Sequence, residues 1–153
     1  MILPRGITGF LDSGAPIPTR SDFAAFLQLG HAAAQAVGCD VSGGLDRTHV
    51  VTPNFHAVTF AQRELVSVLI CNTRYPFVAA VEHLSGTCRL EFRVIPETIA
   101  GLAEQSGFRV LSKSVLELPP DDQAISALAA AEVEQIQYWR PKRIGDIIYN
   151  FWD

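Results

Sequence analysis

Apolar positions in this chain change their period several times, and each change marks a predicted element. Residues 21–37 follow a helical period, with Phe23, Phe26, Leu27, Ala33, Ala34 and Val37 on one face. Ser21 suits the N-cap, Asp22 complements the helix dipole, and Gly38 can end the helix. The polar, glycine-rich residues 40–46 then read as a surface loop.

Beyond that loop the period shortens. Residues 48–51 and 56–61 read as strands around a Thr-Pro-Asn turn, and Gln62-Arg63 turns into the near-continuous apolar run 64–71, which suits a central strand. Residues 77–82 form the next strand. After Ser85-Gly86, Cys88, Leu90, Phe92 and Val94 alternate with Arg89, Glu91 and Arg93, so this segment predicts a strand with one covered and one wet face. Pro96 and Glu97 open a second helix running to about Gln105, and residues 108–118 return as a strand. After Pro119-Pro120-Asp121-Asp122 the rest is helical, in two pieces broken near Pro141. Ile144, Ile147, Ile148 and Phe151 make an i, i+3, i+4, i+7 stripe, the pattern of a helix lying on a sheet. The expected fold is therefore α+β over residues 1–153: one domain, with a mainly antiparallel sheet of five or six strands packed by three or four helices.

The final fifteen residues hold both tryptophans of the chain, with Tyr149 and Phe151. Each large aromatic can withdraw roughly 150–250 Å² from water. This segment is expected either to dock on the core or to present Tyr138, Trp139, Tyr149, Phe151 and Trp152 to a partner.

Composition narrows the function classes. The chain has 153 residues, is 48% apolar and only 18% charged, and carries a net charge of −4. That balance describes a packed globular domain and speaks against a nucleic-acid binder, which needs a concentrated basic face. The local cluster Arg140, Lys142 and Arg143, with Asp146 behind it, reads as a solvated helix start. Three cysteines, Cys39, Cys71 and Cys88, cannot all be paired and fit a reducing compartment. No signal-peptide pattern and no membrane-length apolar run is present, so a cytoplasmic location is expected, with no membrane partner.

Candidate chemistry is sparse. Cys71, at the end of an apolar strand, could act as a nucleophile with His56, His83 or Glu64 as base and orienting group, although its setting better describes a core thiol. His49 with His56, and Glu82 and His83 with Cys88, lack metal-site spacing, and His31 stands alone at the polar edge of the first helix. No phosphate loop and no calcium loop is found near Gly43-Gly44. Glu132 and Glu134, two apart on a helix, diverge. No cofactor or metal is expected.

The block Trp139-x-Pro141-Lys142-x-Ile144-Gly145-Asp146-Ile147-Ile148-Tyr149-Asn150-x-Trp152-Asp153 resembles the C-terminal end of small single-domain bacterial proteins of unknown function. Some of those resemble immunity components of toxin–immunity systems. The resemblance implies bacterial origin and an α+β domain, and it transfers no catalytic residue. An immunity role would use acids at loops and element ends (Asp40, Asp46, Glu82, Asp121 and Asp122) to steer a basic toxin surface. The leading expectation is a non-enzymatic interaction domain whose partner, a toxin or a second copy, meets Trp139, Tyr149, Trp152, Asp121 and Asp122. The alternative is a small enzyme or ligand-binding domain with a pocket near Cys71 and His56.

Overall fold

The changes of period become real elements in a computed structural model, which describes residues 1–17, 19–44, 52–61, 68–84 and 89–152. Helix α1 (Phe23–Ala36) is followed by β1 (Val41–Gly44), β2 (Phe55–Phe60), β3 (Val68–Asn72), β4 (Phe77–Val81) and β5 (Phe92–Arg93). Then come α2 (Glu97–Gln105), β6 (Arg109–Val110), α3 (Lys113–Leu116), α4 (Asp122–Ile125), α5 (Ala130–Trp139) and α6 (Ile144–Ile148). The fold is α+β, as the sequence predicts. Three helices have nine or more residues, and the other three are single turns. The expected strand at 48–51, the Gln62-Arg63 turn, Glu64, Ser85-Gly86, Asp46, His49, Cys88 and Asp153 lie outside the described residues.

Strands β1 to β5 form an antiparallel meander in chain order. The outer edge of β4 is shared. β5 pairs antiparallel with its last two residues, Ala80 and Val81, while β6 runs parallel beside Phe77 and Val78. Every residue of β3 and β4 is buried. Side chains alternate across the sheet: Phe55, Ala57, Val68, Ile70, Ala79 and Val81 enter one core cluster, and Val58, Phe60, Leu69, Cys71, Val78 and Ala80 enter the other. The second cluster is closed by α1 and α2; the first by the N-terminal segment, α3, α4, α6 and Tyr149. The covered and wet faces expected of residues 88–95 are found where that segment is described, with Leu90 and Phe92 buried and Arg89 and Glu91 exposed, but the central strands β3 and β4 differ. Both their faces are covered, which explains why the central strands read as continuous apolar runs.

Other expectations shift in detail. Asp22, not Ser21, caps α1 by accepting the Ala25 amide at 3.1 Å, and the Ser21 hydroxyl instead donates to the Asn72 carbonyl at 2.7 Å. The buried face of α1 is Phe26, Leu29, Gly30, Ala33 and Ala34, while Phe23 and Leu27 face water. Leu90 and Phe92 are core, but the chain leaves the sheet after Arg93 and Val94 is exposed. Residues 108–118 give only the two-residue β6 before turning into α3.

A carboxamide clip joins both ends of the chain to the sheet. The Asn54 and Asn72 side chains each donate to the Ile7 and Ile148 carbonyls, at 2.7–3.0 Å. Asn150 donates to the Thr8 and Ile147 carbonyls, and its own amide donates to Asn54 Oδ1 at 2.7 Å. Asn72 Oδ1 also accepts the amides of Arg74 and Tyr75, so its four hydrogen-bonding positions are all used. Glu132 completes the anchoring. Fully buried at the start of α5, its carboxylate accepts the amides of Gly6, Thr8 and Ala129 and the Thr8 hydroxyl, at 2.8–3.1 Å.

The last stripe packs as the sequence implies: Ile144, Ile147 and Ile148 are buried. In the basic cluster Arg140 and Lys142 are exposed as expected, and Arg143 is the exception. Arg143 is buried, donating to Asp146, to Glu117 and to the Leu90 carbonyl, with its guanidinium carbon 5.0 Å from the Phe92 ring centre. Gly145 exists because a Cβ there would enter the Phe92 ring and lie 3.1 Å from the Leu116 carbonyl oxygen. Gly145→Ala should therefore cost about 1–3 kcal/mol through overpacking. Gly101→Ala, in α2 with open space around the added methyl, should instead stabilise by roughly 0.5–1 kcal/mol. Urea unfolding of both variants checks the contrast, and equal effects would reject the packing account.

Candidate functional site

Two places gather the residues that the sequence singles out. The first is a surface of aromatic rings where the two chain ends meet. Helix α5 ends at Trp139 because Arg140 turns into the left-handed region, at φ 50° and ψ 56°, and Pro141 follows. Trp139 is fixed by its indole N–H, which donates to Gln135 Oε1 at 3.2 Å one turn earlier. Tyr138 meets it edge-on at 5.2 Å. Trp152, at the C-terminal end, has its amide donating to Asn150 Oδ1, and its ring lies parallel to Trp139 within 3° at 6.5 Å between centres. Phe10, whose amide is tied to the Thr8 hydroxyl, flanks Trp152 at 6.5 Å.

Exposure sorts the aromatic candidates. Tyr138 is 76% and Trp139 42% exposed, while Phe10 and Trp152 are half-buried. Phe151 turns inward and meets Phe55 edge-on at 5.2 Å. Tyr149 is 1% exposed, wedged against Phe55 and Phe92, and so it leaves the expected partner surface. Its hydroxyl has no hydrogen-bond partner among the described residues, and burial, with a smaller contribution from Cys71, drives its pKa well above the ordinary value. The hydrophobic stripe of α6 predicts docking of this segment, but nothing in the spacing separates the ring that enters the core from those that stay outside.

Of the acids proposed to steer a partner, several are already engaged. Asp121 Oδ1 accepts the Ala124 amide at 2.7 Å as the cap of α4, and Glu82 pairs with Arg93 at 2.9 Å. Asp122 and Asp40 are exposed or half-exposed without an ion pair among the described residues.

The second place is the pair His56 and Cys71, directly opposite each other on β2 and β3 and on the face covered by α1. Direct cross-strand neighbours have Cβ atoms about 4.5–5.5 Å apart, so the sheet does bring these two side chains together. His83 lies beyond Val81, which pairs with Val68 at the far end of β3, so it cannot serve as the base for Cys71. Phe23 covers the His56 ring at 4.7 Å and Phe26 approaches it at 6.5 Å. The chemistry is unfavourable for a nucleophile. Cys71 is fully buried, and burial pushes its thiol up to about 12 despite the nearby Ser21 hydroxyl, which acts the other way. His56 is held below its ordinary value by burial and by the charge of Arg20. A neutral thiol beside a neutral imidazole is a packed pair, without the thiolate that attack requires.

Among the described residues no three His, Cys, Asp or Glu side chains converge on a metal position, and no helix is long and apolar enough to cross a membrane. Phe10 and the three asparagines are the residues that sequence reasoning missed. Phe10 sits in an apolar N-terminal stretch without period, Asn54 and Asn72 read only as parts of connecting turns, and Asn150 only as a member of the C-terminal block. No family model, no curated protein and no solved structure matches the chain.

Two outcomes follow for the buried pair. Native protein should resist iodoacetamide at Cys71 at pH 8 while unfolded protein is alkylated there, as peptide mass spectrometry would read; modification at the rate of a free thiol would reject the burial argument. His56 binds its proton less readily folded than unfolded, so the stability it contributes is present above about pH 6.5 and is lost as pH falls through the lowered folded value. Urea midpoints between pH 7.5 and 5 should fall in the parent and fall less in His56→Gln; parallel slopes would assign the loss to other groups.

Proposed function

We propose that this chain is a non-enzymatic interaction domain that docks another protein on the surface made by Phe10, Tyr138, Trp139 and Trp152. The observation that carries the reading is the fixed pairing of Trp139 and Trp152, parallel within 3° and with Trp139 held by Gln135. Tryptophan and tyrosine are the residues most enriched among interface hot spots, and a ring already locked in place loses little entropy on binding. The resemblance of residues 139–153 to proteins related to toxin-immunity components supports a finer form of the same reading: an inhibitor that seats this surface on a toxin.

The other reading, a small enzyme or ligand-binding domain at Cys71 and His56, is favoured by the cross-strand pairing of those residues. The raised thiol pKa and the burial of Cys71 weigh against it.

The experiment is affinity capture of the tagged protein from lysate of its own organism, repeated with a Tyr138→Ala/Trp139→Ala variant. Both side chains are largely outside the core, so the variant should unfold within about 1 kcal/mol of the parent. A stoichiometric protein held by the parent should be weakened by at least about tenfold in the variant. Unchanged capture would remove this surface as the docking site, whereas loss on Cys71→Ala alone would favour the pocket.

A further inference from the structure

Arg140 is the one non-glycine residue with positive φ among the described residues, and it stands immediately after Trp139. Glycine takes this left-handed position at a helix end without steric cost; an L side chain does not, and a following proline restricts the backbone further. The chain therefore carries a guanidinium at a place where its own backbone disfavours any side chain, and such outliers collect at binding surfaces. Arg140 and its neighbour Lys142 are both exposed, and neither joins an ion pair among the described residues. Arg143, by contrast, is spent on Asp146 and Glu117. On α5 the exposed Glu134 lies four residues before Tyr138, and the two exposed cations Arg140 and Lys142 follow Trp139 on a chain whose net charge is −4.

We propose that the aromatic surface takes an acidic segment of its protein partner, with an aromatic or apolar side chain laid on Trp139 and Trp152 and carboxylates on Arg140 and Lys142. This inference rests on the interaction reading and adds the chemistry of the partner. A planar guanidinium can hold a carboxylate through two parallel N–H donors, and the neighbouring indole faces supply the apolar anchor beside it. The exposed tyrosine edge of Tyr138 widens that anchor.

The test is fluorescence polarisation of a fluorescein-labelled glutamate–tyrosine copolymer titrated with the full chain. Polyglutamate, a lysine–tyrosine copolymer and single-stranded oligo-dT serve as comparison probes. The expected order is glutamate–tyrosine tighter than polyglutamate, and both tighter than lysine–tyrosine. Arg140→Gly is the discriminating variant, because it relieves the backbone while deleting the guanidinium. Its melting temperature should hold or rise, while affinity for the glutamate–tyrosine copolymer falls about tenfold; Trp139→Ala should lower that affinity by a similar factor. Equal or tighter binding of the lysine–tyrosine copolymer overturns the proposal, as does tighter binding of oligo-dT, absence of binding to the acidic copolymer, or unchanged affinity in Arg140→Gly. If the acidic copolymer is not bound while the captured partner still requires Trp139, the acidic assignment falls and the interaction reading stands. If Trp139 is dispensable for both, both fall.

Discussion

Three asparagine side chains hold together everything at the peripheral end of this molecule. Asn54 and Asn72 lie at the ends of neighbouring strands, and both donate to the same two carbonyls, Ile7 from the start of the chain and Ile148 from near its end. Sharing those acceptors forces the two terminal segments to lie side by side across the sheet. An amide left without its partners in such a setting costs about 1–3 kcal/mol for each buried group, so the arrangement is stable only as a complete set. The aromatic surface is a consequence. Phe10 follows Thr8 and Trp152 follows Asn150, and Thr8 and Asn150 are bonded to one another, so the two rings can meet only when the clip is closed.

Polar groups buried near this clip are treated unequally. Glu132 is a fully enclosed carboxylate, yet two backbone amides of the N-terminal loop, one hydroxyl and the Ala129 amide occupy its oxygens. With all its acceptor sites directed at donors, its charge is tolerated and it specifies where residues 6–8 must lie. Tyr149 is the opposite case. Its ring fills the space between Phe55 and Phe92, while its hydroxyl finds nothing to bond among the described residues. The ring's packing must offset that unpaired hydroxyl. Together the two residues show the first core cluster being fixed in register by one polar group and filled in volume by another.

What was legible in the sequence is what the periodicity of a single segment can encode. Residues 68–72 and 77–81 read as central strands because both their faces are buried, so apolar residues occupy every position. Ile144, Ile147 and Ile148 predicted a docked helix because three residues on one helical face carry the information locally. The two-residue strands β5 and β6 were overextended, since Leu90, Phe92 and Val94 alternate in the sequence although only the first two enter the core. Nothing in the chain marks where Arg93 leaves the edge of β4. The helix starts at Ala129 and Arg143 were hidden for another reason: each lacks the usual capping side chain and relies on Glu132 or Asp146 reaching back three residues to its amide. The asparagine clip was least visible of all, because the bonds that tie the segments together join positions 47 to 142 residues apart.

The same burial that made Cys71 attractive in the sequence removes it as a reactive group. A thiol at the end of a long apolar run looks like a nucleophile placed at a strand terminus; once both sheet faces are covered, that run becomes the inside of the protein, and the thiolate is the form that burial penalises. Reactivity and core packing therefore compete for the same position, and here packing wins. Chemistry that needs contact with another molecule must lie where the covering elements end. Those are the termini of α5 and of the chain itself, where Trp139 and Trp152 close a surface that the core has no further use for. The fold packs His56 under Phe23 and Phe26 and buries Cys71, while it holds two tryptophans parallel at its edge, and that edge is the feature on which the interaction proposal rests.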